Sequence, residues 1–285
     1  MMDDDPLVYL NGAITPISQA MVPVLDRGFI FGDGIYDVIP VYNGKQFRGR
    51  DHLARLFRSM ASVGITNPHN AAGWNSLIDS IIASSGTHDQ MIYIQVTRGV
   101  AKRGHAFPGA STPTVFIMSN PLVLPNAEAR ANGVACVTLE DKRWLRCEIK
   151  STSLLGNVLA AQHAAESHVT EAIQFRDGYL TEASSSNVWI VKNAKLMAPP
   201  KDNLILEGIR YGVIEELCAY GKIDFSPRKI TREEVFDADE VMLSSASKEI
   251  LPVVTLDGKT IGSGKPGPVY ASLYAAYQKE KAKLA

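Results

Sequence analysis

The stretches Arg143-Trp-Leu-Arg-Cys-Glu-Ile-Lys150 and Thr181-Glu-Ala-Ser-Ser-Ser-Asn187 decide how this chain is read. The first ends in a lysine, Lys150, at the close of a mostly apolar run. A desolvated amine loses its proton more readily and becomes a nucleophile toward an aldehyde. The second places Glu182 at the end of a predicted strand, followed by Ser184, Ser185 and Ser186 and the amide Asn187. A carboxylate beside a pyridine nitrogen keeps that nitrogen protonated, and hydroxyls can donate to a phosphate. Taken singly, a surface lysine, a solvated glutamate and a serine turn are the commoner explanations. Together they are the parts that pyridoxal phosphate chemistry requires.

Further candidates lie around them. Gly208-Ile209-Arg210 opens a predicted helix, whose N-terminal amides and dipole favour a phosphate. Arg55, in His52-Leu-Ala-Arg55, can meet a phosphate bidentately. Ser244, Ser245 and Ala246 end a predicted strand and can add backbone amides. Asp26-Arg-Gly-Phe-Ile-Phe-Gly-Asp-Gly-Ile-Tyr36 is glycine-rich but lacks both G-x-G-x-x-G and a P-loop lysine, so it predicts a bend beside a ligand, with Tyr36 offering a hydroxyl. In the basic loop Arg98-Gly-Val-Ala-Lys-Arg-Gly-His-Ala-Phe-Pro108, Arg103 and His105 stand two apart and can converge on one carboxylate.

The chain has 285 residues, which predicts two domains, and its 29 basic and 30 acidic residues leave a net charge of −1. That balance argues against nucleic acid or a membrane surface and for a small-molecule partner. Cys136, Cys147 and Cys218 are too few for a disulfide framework or a zinc site, and no metal site is expected. The acidic start Met-Met-Asp-Asp-Asp is unlike a secretory signal and no apolar run reaches ~18 residues, so a cytoplasmic location is expected.

Alternation and turn pairs predict strands over 7–10, 13–17, 35–42, 46–47, 90–97, 114–118, 134–139, 172–175, 179–181, 187–192 and 241–243. Helices are predicted from a cap at Asp51 to about Gly64, and over 74–83, 151–167, 209–220 and 269–283. The helix 151–167 carries Leu154, Leu155, Val158 and Leu159 on one side. Thr231 with Glu234 fits a capping box. Strands and helices mix without strict alternation, so an α+β or mixed α/β barrel-like fold is expected rather than a doubly wound sheet. Residues 1–119 make a small α+β domain, 120–126 a proline-bearing linker and 127–285 a larger cofactor-binding domain.

On the quoted motifs, with Gln95-Val-Thr-Arg-Gly99, the chain resembles the class IV (fold type IV) pyridoxal phosphate aminotransferases from about Tyr9 to Pro252, and within them the D-amino acid branch. The resemblance implies that Lys150 bonds the cofactor, Glu182 faces its ring nitrogen, Arg55 its phosphate, and Ser185, Ser186 and Ile209 its surroundings. It also implies that Tyr36, Arg103 and His105 trap the substrate carboxylate, the latter two reaching the neighbouring subunit's site in a homodimer. Branched-chain L-aminotransferases and aminodeoxychorismate lyases share the lysine and glutamate but usually lack the Arg-x-His pattern. Two departures stand out. Arg210 and Ala246 occupy positions where the family commonly has threonine.

Overall fold

The computed structural model describes residues 5–284; the rest of the acidic start lies outside the described residues. The chain forms two compact units. One runs to Leu122 and takes back Ile149–Leu154, and the other comprises Val123–Glu148 and Leu155–Lys283.

The first unit is built on an antiparallel six-stranded sheet in the order Ala13–Pro16, Leu7–Leu10, Thr114–Pro121, Gln90–Thr97, Gly34–Tyr42 and Lys45–Gln46. Period-two alternation assigns its two faces. Ile35, Ile39, Ile92, Ile94 and Val96 point to helices Gly49–Ser62 and Ala71–Ser84, where Leu56, Met60, Trp74 and Ile78 complete the core. Each such side chain contributes roughly 1.5–3 kcal/mol on burial. Tyr36, Val38, Tyr93 and Gln95 take the other face and stay half-buried.

Asp37 interrupts the apolar face and is fully buried. It accepts from Arg55 Nε and Nη2 at 2.9 Å each and lies 2.7 Å from His52 Nδ1. Burial alone raises its carboxyl, but the charges of Arg55 and His52 hold it well below the usual carboxylate range.

Three local expectations are corrected. Asp51 does not cap the first long helix: Arg48 holds that position in a left-handed conformation with no side-chain cap, and Asp51 sits in the first turn. The bend read at 26–36 contains a helical turn, Arg27–Phe31, which Asp26 caps through the Gly28 N–H and the left-handed Gly32 closes. The helix expected from 151 begins at Leu155. Residues before it belong to the first unit, because Ser151 pairs with Ile35, Tyr36 N donates to Lys150 O at 2.9 Å, and Thr152 N donates to Gly34 O at 3.0 Å. The expected division had assigned this segment to the second domain.

The second unit carries a mixed nine-stranded sheet. Its strand Val134–Glu140 runs parallel to both Glu171–Arg176 and Glu249–Leu256. Helix Leu155–Glu166 packs through Ala160 and Ala164, small residues that allow close approach to Ala172. Leu155, Val158 and Leu159, expected as its buried side, are instead exposed at 72%, 58% and 61%. The capping box at Thr231 and Glu234 forms with both hydrogen bonds. Among the described residues no helix is long and apolar enough to cross a membrane.

Strand Glu249–Leu256 begins at a fully buried carboxylate in a left-handed conformation, φ 59°. Glu249 accepts from Arg130 at 2.8 Å, Lys281 at 2.9 Å and Gln278 at 3.0 Å, tying the strand to helices Ala127–Asn132 and Pro268–Ala282. Glu249→Ala strands two cations around an empty acceptor and is expected to cost about 3–5 kcal/mol in urea unfolding. Acid titrates a second node. A carboxyl depressed in the folded state, as Asp37 is, contributes stability above its unfolded value of about 4 and loses it as pH falls further. The urea midpoint is expected to drop between about pH 6 and about pH 3, and the drop to shrink in Asp37→Asn.

Candidate active site

Lys150 closes the first unit's strand pairing, its carbonyl held by Tyr36 N and its N–H donated to Ser59 Oγ at 3.3 Å. The side chain is half-buried, with Nζ 4.2 Å from the centre of the Tyr36 ring. The alternation that turns Asp37 inward thus turns Tyr36 toward the lysine. Tyr36 in turn stacks on Tyr93, whose hydroxyl burial pushes up to about 12. Arg55 is 6% exposed, and Asp37 holds two of its nitrogens in one plane.

The loop after strand Gln90–Thr97 presents Arg103 and His105 on the exposed surface of this unit. Thus Lys150, Tyr36, Arg55, Arg103 and His105 all belong to the first unit.

In the second unit Glu182 is 6% exposed and anchored from two directions. Arg143 Nη1 donates to Oε1, and Leu206 N donates to Oε2 at 3.0 Å. Arg143 is itself gripped by the fully buried Asp141 through Nε and Nη2 at 2.9 Å each. Burial disfavours its charge, but the Asp141 and Glu182 carboxylates outweigh that and hold it protonated. Asn187 ties loop backbone, donating to Leu206 O at 2.8 Å and accepting from Gly208 N at 3.2 Å. That contact explains the glycine: a Cβ at position 208 would strike Asn187 Oδ1. Helix Ile209–Gly221 starts there with no side-chain cap, so its first N–H groups are the local donors.

The expected serine donors are committed elsewhere. Ser184, Ser185 and Ser186 donate their hydroxyls to Glu171 at 2.8, 2.9 and 2.5 Å. Glu171 is 2% exposed and paired with Lys248 at 2.5 Å. Burial would raise this carboxyl, yet Lys248 and the hydroxyls lower it. The Arg210 side chain, whose direction the sequence leaves open, turns into the core. It is 1% exposed and its Nε donates to Tyr277 Oη at 3.2 Å, so its side chain is core and only its backbone serves the helix start. Ser245 ends strand Glu240–Ser245 and accepts from Lys248 N at 3.2 Å; Ala246 follows half-buried.

The residues that sequence reasoning missed are the charged partners Asp37, Asp141, Arg143, Glu171 and Lys248, of which the three acids are buried. Arg143 stood in a quoted motif without a role. The available signal was charge within apolar strand patterns, as at Asp37 and Glu171, since such groups are buried only when paired. The donor set suits the expected cofactor: an amine at Lys150, a guanidinium at Arg55, a fixed carboxylate at Glu182 and bare amides at Ile209.

The amino-transferase class IV family model matches residues 34–256. The D-alanine aminotransferase of Bacillus licheniformis is 40% identical over 95% of this chain and 95% of its own. That of Staphylococcus aureus strain N315 is 39% identical over 95% of this chain and 96% of its own. Among solved structures, the Escherichia coli branched-chain amino acid aminotransferase superposes with TM-score 0.92 at 24% identity, covering 97% of this chain and 94% of that one. The branched-chain aminotransferase of Thermoproteus uzoniensis gives 0.88 at 26% identity, covering 96% and 94%. The family match and the near full-length similarity to these relatives show that this chain belongs to the class IV aminotransferases.

Proposed function

We propose that this protein is a D-amino acid transaminase, moving an amino group from a D-amino acid such as D-alanine to a 2-oxo acid such as 2-oxoglutarate. The observation that carries the reading is the loop holding Arg103 and His105 outward in a chain 37–40% identical to D-alanine aminotransferases. A guanidinium and an imidazole two residues apart suit the planar carboxylate common to both substrates.

Pyridoxal phosphate, when bound, supplies an aldehyde and an electron-withdrawing ring. Lys150 is the residue whose amine would hold the cofactor's aldehyde, and the same Nζ would move the proton at the substrate α-carbon. Glu182, braced by Arg143 and the Leu206 amide, would keep the ring nitrogen protonated. Arg55 and the backbone amides of Ile209, Arg210, Ser245 and Ala246 would hold the phosphate. Tyr36, against the Lys150 amine, helps orient the substrate. Ser185 and Ser186 shape the turn after Glu182 through their bonds to Glu171.

The working form in this reading is a cytoplasmic homodimer, in which Arg103 and His105 reach the partner's substrate. Exposed apolar surface around their loop supports an assembly: Val24 at 72%, Leu25 at 45%, Phe29 at 76% and Val100 at 46%. The exposed Leu155, Val158 and Leu159 add a second such face. Its three buried free thiols suit a reducing compartment.

Two experiments test the reading. Lys150→Ala is expected to lose the bound cofactor's visible absorbance and to lower kcat by more than about 10³-fold; full turnover in that variant refutes the assignment. In a donor screen with 2-oxoglutarate, D-alanine is expected to react and L-leucine not. Preference for L-leucine returns the enzyme to the branched-chain group, and pyruvate from aminodeoxychorismate without an oxo acid returns it to the lyases.

A further inference from the structure

The loop that carries Arg103 and His105 is fastened at its base by backbone. Arg27 N donates to Gly99 O at 2.9 Å, Ala101 N to Leu25 O at 3.3 Å, and Asp26 pairs with Val100. Gly99 is obligatory there, since φ is +93° and a Cβ would strike the Thr112 carbonyl. Asp26 braces the same base from within, accepting from Thr97 Oγ1 at 3.0 Å and Thr114 Oγ1 at 2.6 Å.

Beyond the base, Arg27 holds the loop from behind. Arg27 is 3% exposed, and its Nη1 donates to Gly104 O at 2.6 Å and its Nη2 to His105 O at 3.3 Å. Its Nε is locked by Asp33 at 2.7 Å. The same carboxylate grips Arg98 through Nε at 2.8 Å and Nη2 at 3.0 Å, and Arg98 covers the Phe107 ring at 3.6 Å. Burial would raise Asp33, but Arg98 and Arg27 hold it low, so both arginines keep their partner charged. Phe31 lies among these groups: its ring is 5.5 Å from that of His105, 5.5 Å from Arg103 Cζ and 4.8 Å from Arg27 Cζ.

We infer that Arg27, together with Phe31, is a positioning residue for carboxylate recognition: it fixes Arg103 and His105 by holding the carbonyls of Gly104 and His105 from the interior. This rests on the reading of Arg103 and His105 as the carboxylate trap. A guanidinium fork suits the task because its planar, preorganised donors fix two successive carbonyls at once. Removing it leaves the backbone fastening at residues 99–101 intact, so the loop stays attached while its tip loses register. The consequence falls on substrate binding rather than on the α-carbon chemistry.

The test is a mutant cycle in the holoenzyme with D-alanine and 2-oxoglutarate. Arg27→Met is expected to raise KM for D-alanine at least ~10-fold with kcat within ~3-fold, and to leave cofactor absorbance and cofactor Kd unchanged. Arg103→Met is expected to raise KM as much or more. Because Arg27 acts through Arg103 and His105 together, adding Arg27→Met to a variant that carries both Arg103→Met and His105→Leu should change KM by no more than ~2-fold. Additive losses, or an unchanged KM in Arg27→Met beside a raised one in Arg103→Met, overturn the inference. An unchanged KM in Arg103→Met overturns the carboxylate reading itself, and this inference with it. Should Arg27→Met not fold, Phe31→Leu decides: a KM rise of at least ~3-fold with an intact cofactor spectrum supports the positioning role, and no rise overturns it.

Discussion

A buried carboxylate needs a cation fixed beside it, and Arg143 is that cation for Glu182. Arg143 can serve because Asp141, whose side chain has no exposed surface, takes its N, Nε and Nη2 and also accepts from Thr181 Oγ1 and Arg176. Asp141 directly follows strand Val134–Glu140, and Glu182 lies in strand Tyr179–Ala183. The interaction therefore converts sheet register into the position of one oxygen atom. Desolvating such a chain of charges is costly, so its value lies in fixed geometry rather than in net stability.

The same construction recurs with other partners. Asp37 orients Arg55, Asp33 orients Arg27 and Arg98, and Glu171 gathers three serine hydroxyls and Lys248. In each case a carboxylate fixes the side chain of a charged or hydroxyl-bearing neighbour. The neighbour is an arginine in most of them, since a guanidinium held by two bonds has little rotational freedom left to lose on meeting a ligand. Lys150 is the exception. Its amine rests against the Tyr36 ring, the setting from which the proposed function would have it meet an aldehyde.

Much of this was legible in the chain, and the failures have physical causes. Strict alternation revealed strands such as 35–42 and 90–97, and local chemistry revealed the Thr231 capping box, because both signals are contained within a few residues. The start of helix Leu155–Glu166 was misread because residues 151–154 are helix-compatible alone but are captured by strand Gly34–Tyr42, a partner over a hundred residues away. Strand Glu249–Leu256 was hidden by Pro252 and by a charged first residue in a left-handed conformation. The candidate site residues stood in quoted motifs, and so did Asp33, but Asp37, Asp141 and Glu171 did not. A partner's identity is set by tertiary neighbours, and one sequence carries no record of those.

The two departures from the family's threonines follow from the same logic. Arg210 is accommodated by the core, its guanidinium 1% exposed and bonded to Tyr277 on helix Pro268–Ala282. Its side chain is therefore removed from the ligand rather than added to it. Ala246 contributes no side-chain donor. In the proposed cofactor site, phosphate recognition then falls to main-chain N–H groups and to the charge of Arg55. Main-chain donors are indifferent to side-chain identity, provided the backbone path is kept. That path is enforced by Asn187, which holds Leu206 O and Gly208 N at once and leaves no room for a Cβ at position 208. In the proposed site the turn before the helix, rather than the side chains that follow it, would place the phosphate donors.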